Sequence, residues 1–308
     1  MLDRYKRALV TGGAGFIGSH ICEELLSYGK EVVIVDNLST GKRENIPRGA
    51  DFIELDVTDQ EGIRNALEGI EIAFHVAAQP SARASVEDPR LDFESNVRGT
   101  YNVLTAALEA KVKRLIYTSS SAVYGEPKRL PLDEKHVPDP STPYGTSKLC
   151  GERYCIVFSR IYGLPCTCLR PFNVYGPREN PGTSLDEVAL YTRAVLKKQQ
   201  ITIYGDGNQT RDFVYVKDVA HAHILAAEHD ASIGQVLNIG TGSEISINRL
   251  AQQIEEITGN KAMAQYKPWP PGDIYREFAN NQLAEAMIGY SPVTILREGI
   301  GELVRLPD

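Results

Sequence analysis

The chain has 308 residues, 42% of them hydrophobic and 24% charged, the balance of a globular protein long enough to bury a sizeable core in one large α/β domain or two smaller ones. Its formal net charge of −7, with no long Lys/Arg run and no basic stripe interleaved with aromatics, argues against nucleic-acid binding, so an anionic ligand must be held by local groups. No apolar run approaches the roughly 20 residues of a membrane span, and the apolar stretch after Asp3, Arg4, Lys6 and Arg7 stops within about four residues, which predicts a cytoplasmic protein with no signal peptide and no membrane partner.

Residues 8–11 read as a strand that runs into Gly12-x-x-Gly15-x-x-Gly18, with a helix beginning near Phe16. This is a phosphate-binding turn. Glycine at its first position permits a tight turn, at its second lets backbone approach a pyrophosphate, and at its third lets helix and sheet pack closely. The helix N-terminus adds unpaired N–H groups and a positive dipole end. A second strand over 31–36 ends at Asp36, eighteen residues past Gly18, placed to accept from an adenosine ribose. A carboxylate there repels a 2′-phosphate, which favours NAD over NADP.

Further strands are predicted over 51–55, 71–76, 114–119 and 165–170, alternating with helical patterns at 96–111 and 144–162. That alternation implies a Rossmann-like, doubly wound parallel sheet with helices on both faces. The strand over 114–119 leads into Ser120-Ser121-Ala122-Val123-Tyr124-Gly125, so Ser119, Ser120 and Ser121 fall at its carboxyl end, where open α/β sheets bind ligands. One of these hydroxyls could bond a reacting alcohol, or they could serve as turn chemistry. Tyr144 and Lys148 stand four apart at the start of a helix and share one face. An ammonium beside a phenol favours the phenolate and makes the tyrosine a usable base.

Beyond Pro171 the pattern changes to a Gly/Pro/Asn-rich stretch over 175–183, a helix near 186–198, and short strands near 201–204 and 235–239. We expect an NAD-binding domain over 1–172 and a smaller α/β C-terminal substrate lobe over 173–308, with the segment around 205–240 contributing back to the first. The run 268–273, Pro-Trp-Pro-Pro-Gly-Asp, excludes regular helix and central strand and is expected as a loop over the cleft. Cys22, Cys150, Cys155, Cys166 and Cys168 show no metal-ligand spacing and read as reduced packing residues. His221 and His223, about 200° apart around a helix, make a poor metal clamp, and no metal is expected. The isolated His20, His75, His136 and His229 read as satisfied polar or surface residues.

The glycine turn, Asp56-Val57, His75-Val76-Ala77-Ala78-Gln79, Asn96, the serine strand, Tyr144-x-x-x-Lys148 and the run from Arg170 to Arg178 (Arg-Pro-Phe-Asn-Val-Tyr-Gly-Pro-Arg) together resemble the extended short-chain dehydrogenase/reductases. Within them the chain is most similar to nucleotide-sugar epimerases of the UDP-glucose 4-epimerase type. The run from Gly205 to Val216 carries the likeness into the substrate lobe, so it covers nearly the whole chain.

The resemblance implies NAD as cofactor, contacted by Gly12, Gly15, Phe16, Ile17, Gly18, Asp36, Asn37, Thr40, Asp56, Val57, Ala77, Ala78, Gln79, Asn96, Ser119, Tyr144, Lys148 and Pro171. It implies Tyr144 as the base, Lys148 as the group that depresses its pKa and binds the nicotinamide ribose, and Ser120 as the bridge to the sugar 4-hydroxyl. A nucleotide-diphosphate sugar would rest on Ser120, Ser121, Tyr144, Asn173, Tyr204, Arg211 and Asp273, with Asn173 and Arg211 on the diphosphate and Tyr204 against the base. The implied reaction oxidises C4, turns the 4-keto sugar over in the pocket and reduces its other face. The implied assembly is a homodimer built on the helices over 96–111 and 144–162.

Two departures bear on the substrate. Dehydratases of the family carry Asp-Glu where this chain has Ser121-Ala122, and its decarboxylases usually carry glutamate at the Ala122 position, so both reactions lose their acid. The family's arginine two residues before the late Gly-Asp is replaced by Pro270, with Lys267 or Arg276 as possible substitutes, and Glu277 falls where pocket size is tuned. A 4-keto-sugar reductase, which would consume reduced cofactor, another nucleotide-sugar epimerase and a non-catalytic dinucleotide-binding regulator stand as alternatives.

Overall fold

The computed structural model describes residues 1–180, 187–269 and 274–306. In chain order its strands are β1 (Arg7–Thr11), β2 (Glu31–Asp36), β3 (Asp51–Glu54), β4 (Ile72–His75), β5 (Arg114–Thr118), β6 (Cys166–Pro171), β7 (Asn173–Tyr175), β8 (Gln200–Tyr204), β9 (Thr210–Arg211), β10 (Phe213–Tyr215), β11 (Val236–Ile239), β12 (Ile245–Ser246) and β13 (Met263–Lys267). Seven of these form one parallel sheet in the order β11-β6-β5-β4-β1-β2-β3. The chain moves outward one way from β1 through β2 and β3 and the other way through β4, β5 and β6. The connections therefore part between β1 and β4 and leave a crevice above the carboxyl ends of those strands.

Alternation along each strand builds the two core layers. Val10, Ile34, Phe74 and Ile116 face one side, where they pack with the helices Phe16–Ser27 and Val216–Glu228. Leu9, Val33, Ala73 and Leu115 face the other, under Gln60–Ala66, Gly99–Glu109 and Pro143–Val157. Successive side chains of a strand point to opposite faces, so both layers follow from nearly continuous apolar strand sequences.

Two helices differ in detail from their expected form. The pattern over 96–111 forms a π-type turn over Phe93–Arg98 that continues as the helix Gly99–Glu109. The one over 144–162 starts at Pro143, capped by the Thr142 side chain on the Gly145 N–H at 3.1 Å, and widens into a π-type turn over Phe158–Tyr162 before left-handed Gly163. The strand near 235–239 forms as β11 and pairs with β6 at the sheet edge. The preceding helix Val216–Glu228 lies on the sheet and supplies the crossover that a parallel neighbour requires.

Beyond Pro171, β7 pairs with β10, β8 with β13, and β9 with β12, over a separate apolar cluster that includes Tyr191, Ile201, Ile203, Phe213, Leu250, Ile254 and Ile300. The helix near 186–198 is described as Glu187–Leu196. All five cysteines are free thiols, four of them buried. No helix among the described residues is long and apolar enough to cross a membrane.

Candidate active site

A cleft of about 580 Å³ opens above the carboxyl ends of β1, β2, β4, β5 and β6. Its floor is the glycine turn. Gly12 adopts a φ of +70°, and a Cβ built on Gly18 would lie 2.1 Å from the Gly12 carbonyl oxygen, so the turn and the first turn of the helix Phe16–Ser27 touch through backbone. Gly15, Phe16, Ile17 and Gly18 line the cleft there, and the opening N–H groups of a helix have no partner within it.

Asp36 ends β2 on one wall. Its carboxylate accepts from the Ala14 N–H at 3.0 Å and the Leu38 N–H at 2.8 Å, and burial raises its pKa while those bonds pull it back. Two accepted bonds leave a carboxylate further acceptor sites for a diol. Asn37, Thr40, Asp56 and Val57 complete that wall. Burial would raise the Asp56 pKa, but hydrogen bonds from Thr58 and from Asn37, the latter at 2.6 Å, outweigh it and hold the carboxyl below its ordinary value.

The opposite wall is Ala77, Ala78 and Gln79. It is set by a buried relay in which Thr11 Oγ1 accepts from the Val76 and Ala77 N–H groups, each at 3.2 Å, and bonds His75 Nδ1 at 2.7 Å. His75 Nε2 meets Thr100 Oγ1 at 2.9 Å, and that hydroxyl donates to the Asn96 carbonyl. Burial lowers the His75 pKa to about 3, so the ring is neutral. Asn96 stands behind the wall, where its side chain accepts from the Gln79 N–H at 2.8 Å and donates to Asp92, Ser147 and the Gln79 carbonyl. It shapes the cleft without lining it.

Tyr144, Lys148, Ser120 and Pro171 converge at the inner end. The helix that carries Tyr144 and Lys148 approaches β5 closely because Gly151 has no side chain: a Cβ there would lie 2.3 Å from the Tyr117 hydroxyl. Lys148 Nζ donates to the Thr118 carbonyl at 2.8 Å and sits 5.1 Å from the Tyr117 ring centroid and 6.0 Å from that of Tyr144. Ser120 lines the same end of the cleft as Tyr144. Burial pushes the Tyr144 phenol up to about 12, with the nearby Ser120 hydroxyl working against it. Burial likewise brings Lys148 down to about 8, against the pull of Asp92, Cys155 and Glu152. The expected depression of the Tyr144 pKa is therefore absent from this geometry, because desolvation dominates and the ammonium is aimed at a carbonyl.

Ser119 shares the wall, but its hydroxyl donates to buried Glu152 at 2.6 Å, and Ser121 is buried in the turn after it. Asn173, Arg211 and Tyr204 lie outside the lining of this cleft. Asn173 Nδ2 donates to buried Glu277 at 2.8 Å, Arg211 is buried and donates to the Thr210 carbonyl at 2.9 Å, and Tyr204 is 45% exposed at the end of β8. Arg276 is engaged by Glu244 and Lys267 is exposed on β13. Pro270 and Asp273, with most of the expected loop, lie outside the described residues. Among the described residues, no group of three or more His, Cys, Asp and Glu could hold a metal ion.

Three contributions escape sequence reasoning. Lys42, Arg178, Glu179 and Asn180 reach the cleft rim from two distant loops. Asp212, fully buried, gathers the Thr241, Gly242 and Ala279 N–H groups on one carboxylate at 2.8–3.1 Å. Glu152 lies behind the serine strand. The one local signal for Asp212 is a carboxylate inside an otherwise strand-forming run.

A glycine cradle at the switch point of a doubly wound sheet, with a tyrosine, lysine and serine meeting at the next strand ends, defines a dinucleotide-dependent α/β enzyme. The sequence profile of the NAD dependent epimerase/dehydratase family matches residues 8–240, and the chain belongs to that family. It is 41% identical over 298 residues to a putative UDP-glucose 4-epimerase of Methanocaldococcus jannaschii, covering 96% of each chain. It is similar to the crystal structure of the Thermotoga maritima UDP-glucose 4-epimerase with UDP-glucose, at TM-score 0.94 and 40% identity over 97% of each chain. It is also similar to the Thermus thermophilus UDP-glucose 4-epimerase in complex with NAD, at TM-score 0.91 and 41% identity over 97% of each. The chain is an enzyme of the epimerase type, and its cofactor is NAD. The residues present fit that cofactor: the glycine cradle is one that any Cβ at Gly18 would fill, and Asp36 offers a carboxylate to a ribose.

Proposed function

We propose that this enzyme is a nucleotide-sugar 4-epimerase that interconverts UDP-glucose and UDP-galactose in the cytoplasm, through a transient 4-keto sugar. The observation that carries the reading is the convergence of Tyr144, Ser120 and Lys148 at the end of β5, beside the glycine cradle and with Ser121-Ala122 in place of any acid. Without that acid the 4-keto sugar is not drawn into elimination.

The glycine turn, with Phe16 and Ile17, would hold the NAD diphosphate, Asp36 the adenosine ribose, and Asp56 and Val57 the adenine edge. Bound NAD supplies a site that takes up a hydride and gives it back. As the phenolate, the form that the Lys148 ammonium and the positive charge of bound NAD would favour against the effect of burial, Tyr144 would take the proton of the sugar 4-hydroxyl and later return it to the same oxygen. Ser120, beside the phenol in the cleft, would hold that hydroxyl and favour the phenolate. Lys148, fixed by the Thr118 carbonyl, contributes its positive charge and a donor for the nicotinamide ribose. Asn173 and Arg211 would anchor the substrate diphosphate, with Tyr204 against the pyrimidine and Ser121 and Asp273 near the sugar. An anchored diphosphate lets the sugar turn without leaving. Buried Glu277, beside Asn173, would disfavour an N-acetyl group by its bulk or a uronate by its acidity.

A homodimer completes the reading. Phe93, Tyr101, Tyr154, Val157, Ile161 and Tyr162 are exposed large apolar side chains on the two helices that would pair across a two-fold axis.

The test is incubation of the purified protein with UDP-galactose and no added reductant. UDP-glucose should accumulate at a steady rate, and Tyr144→Phe should lower that rate by about 10²–10⁴-fold, the range for loss of a general base. No conversion, together with stoichiometric oxidation of added NADH by a 4-keto-sugar nucleotide, would instead identify a reductase.

A further inference from the structure

Glu152 sits one helical turn past Lys148, fully buried and outside the cleft lining. Its Oε1 accepts from the Ser119 hydroxyl at 2.6 Å and from Arg170 Nε at 2.7 Å, and its Oε2 accepts from Arg170 Nη2 at 2.7 Å. Arg170 belongs to β6, and its guanidinium stacks 4.6 Å from the Tyr124 ring centroid. Lys148 and Glu152 are thus an i, i+4 pair gripping consecutive residues of β5's end: Lys148 holds the Thr118 carbonyl and Glu152 the Ser119 hydroxyl. The next residue is Ser120.

A buried ion pair is a poor device for stability, since a well-packed apolar pair of the same volume often does as well or better. This pair does something an apolar one could not. It fixes a hydroxyl between the lysine's carbonyl anchor and Ser120, which lines the cleft together with Tyr144. We infer that Glu152 is a positioning residue for the reaction: through Ser119 it sets the end of β5 in register with the helix, so that Ser120 meets Tyr144 while Lys148 keeps its carbonyl partner. The inference rests on the roles assigned above to Tyr144, Lys148 and Ser120. It carries an electrostatic corollary. Lys148 is faced by Asp92 from the helix Pro89–Asp92, by Tyr117 on β5 and neutral His75 on β4, and by Tyr144, Glu152 and Cys155 on its own helix. The Glu152 charge helps Lys148 to keep its proton.

Two full-length variants test it. Ser119→Ala cuts the tie to β5 and leaves the Glu152–Arg170 pair intact. With UDP-galactose, assayed well below the thermal midpoint, we expect kcat about tenfold lower at unchanged KM, the signature of misplaced groups rather than weakened binding, with the midpoint lowered only by the loss of one buried hydrogen bond. Glu152→Gln keeps the shape and removes the charge. NAD affinity, titrated calorimetrically across pH without any sugar, should begin its alkaline decline at lower pH than in the wild type as Lys148 deprotonates earlier. Wild-type kcat in Ser119→Ala, or a loss of kcat that merely follows a lowered thermal midpoint, would overturn the inference, as would an unmoved alkaline decline in Glu152→Gln. Should Glu152→Gln fail to fold, Ser119→Ala decides alone. Inactivity of the wild type on UDP-galactose would count against the substrate reading and leave the NAD titration able to judge this one.

Discussion

Tyr144 and Lys148 share a helix face, yet their side chains answer to different neighbours: Ser120 for the phenol, the Thr118 carbonyl for the ammonium. Burial lowers the Lys148 pKa from 10.5 to about 8, so the ammonium is complete well below pH 8 and is lost as pH rises through it. Turnover should therefore fall above about pH 8. Lys148→Arg, which cannot lose its proton in this range, should turn over more slowly at neutral pH but without that alkaline decline, as pH profiles of kcat would show. An unchanged decline would mean that another group titrates there. The pair was legible in the sequence because helical spacing is local and places both side chains on one face. The partners were not. Ser119 meets Glu152 across 33 positions and Asn173 meets Glu277 across 104, and no periodicity encodes such contacts.

Among elements, the turn from β1 into the helix Phe16–Ser27 is the most sharply specified. A methyl group on Gly18 would meet the Gly12 carbonyl oxygen at 2.1 Å, and that contact is backbone, which cannot swing aside. Gly18→Ala should cost on the order of 1–3 kcal/mol by overpacking and should lose the rise in thermal midpoint that NAD gives the wild type. A variant that retains this ligand-induced rise would show that the turn can open without harm to the site. Strand order and the crevice were legible because apolar strands alternating with helices admit few topologies once crossovers must be right-handed. The π-type turns at Phe93–Arg98 and Phe158–Tyr162 were not, since one widened turn barely disturbs the apolar period of a helix. The loop residues Arg178, Glu179 and Asn180 reach the cleft only because the chain returns over it after β7.

For the whole molecule, the two faces of the sheet are tied by neutral imidazoles: His75 between Thr11 and Thr100, and His223 at 2.8 Å from Thr118 Oγ1. Burial lowers their pKa values from 6.5 to about 3 and about 4. Between those values and 6.5 the unfolded chain binds protons that the folded chain refuses, so stability falls as pH drops through that window, by on the order of several kcal/mol. The thermal midpoint should decline from pH 7 to pH 4, and less steeply in His223→Gln. A midpoint independent of pH there would mean that neither ring stays neutral.

Oxidation and reduction of C4 within one site are read out by converting UDP-galactose to UDP-glucose in D₂O and examining the product by NMR. A hydride taken from C4 and returned to its other face never exchanges with solvent, so the UDP-glucose should carry hydrogen, not deuterium, at C4. Deuterium at that carbon would mean that C4 loses a proton to a solvent-exchanging base, and the proposed route would be wrong.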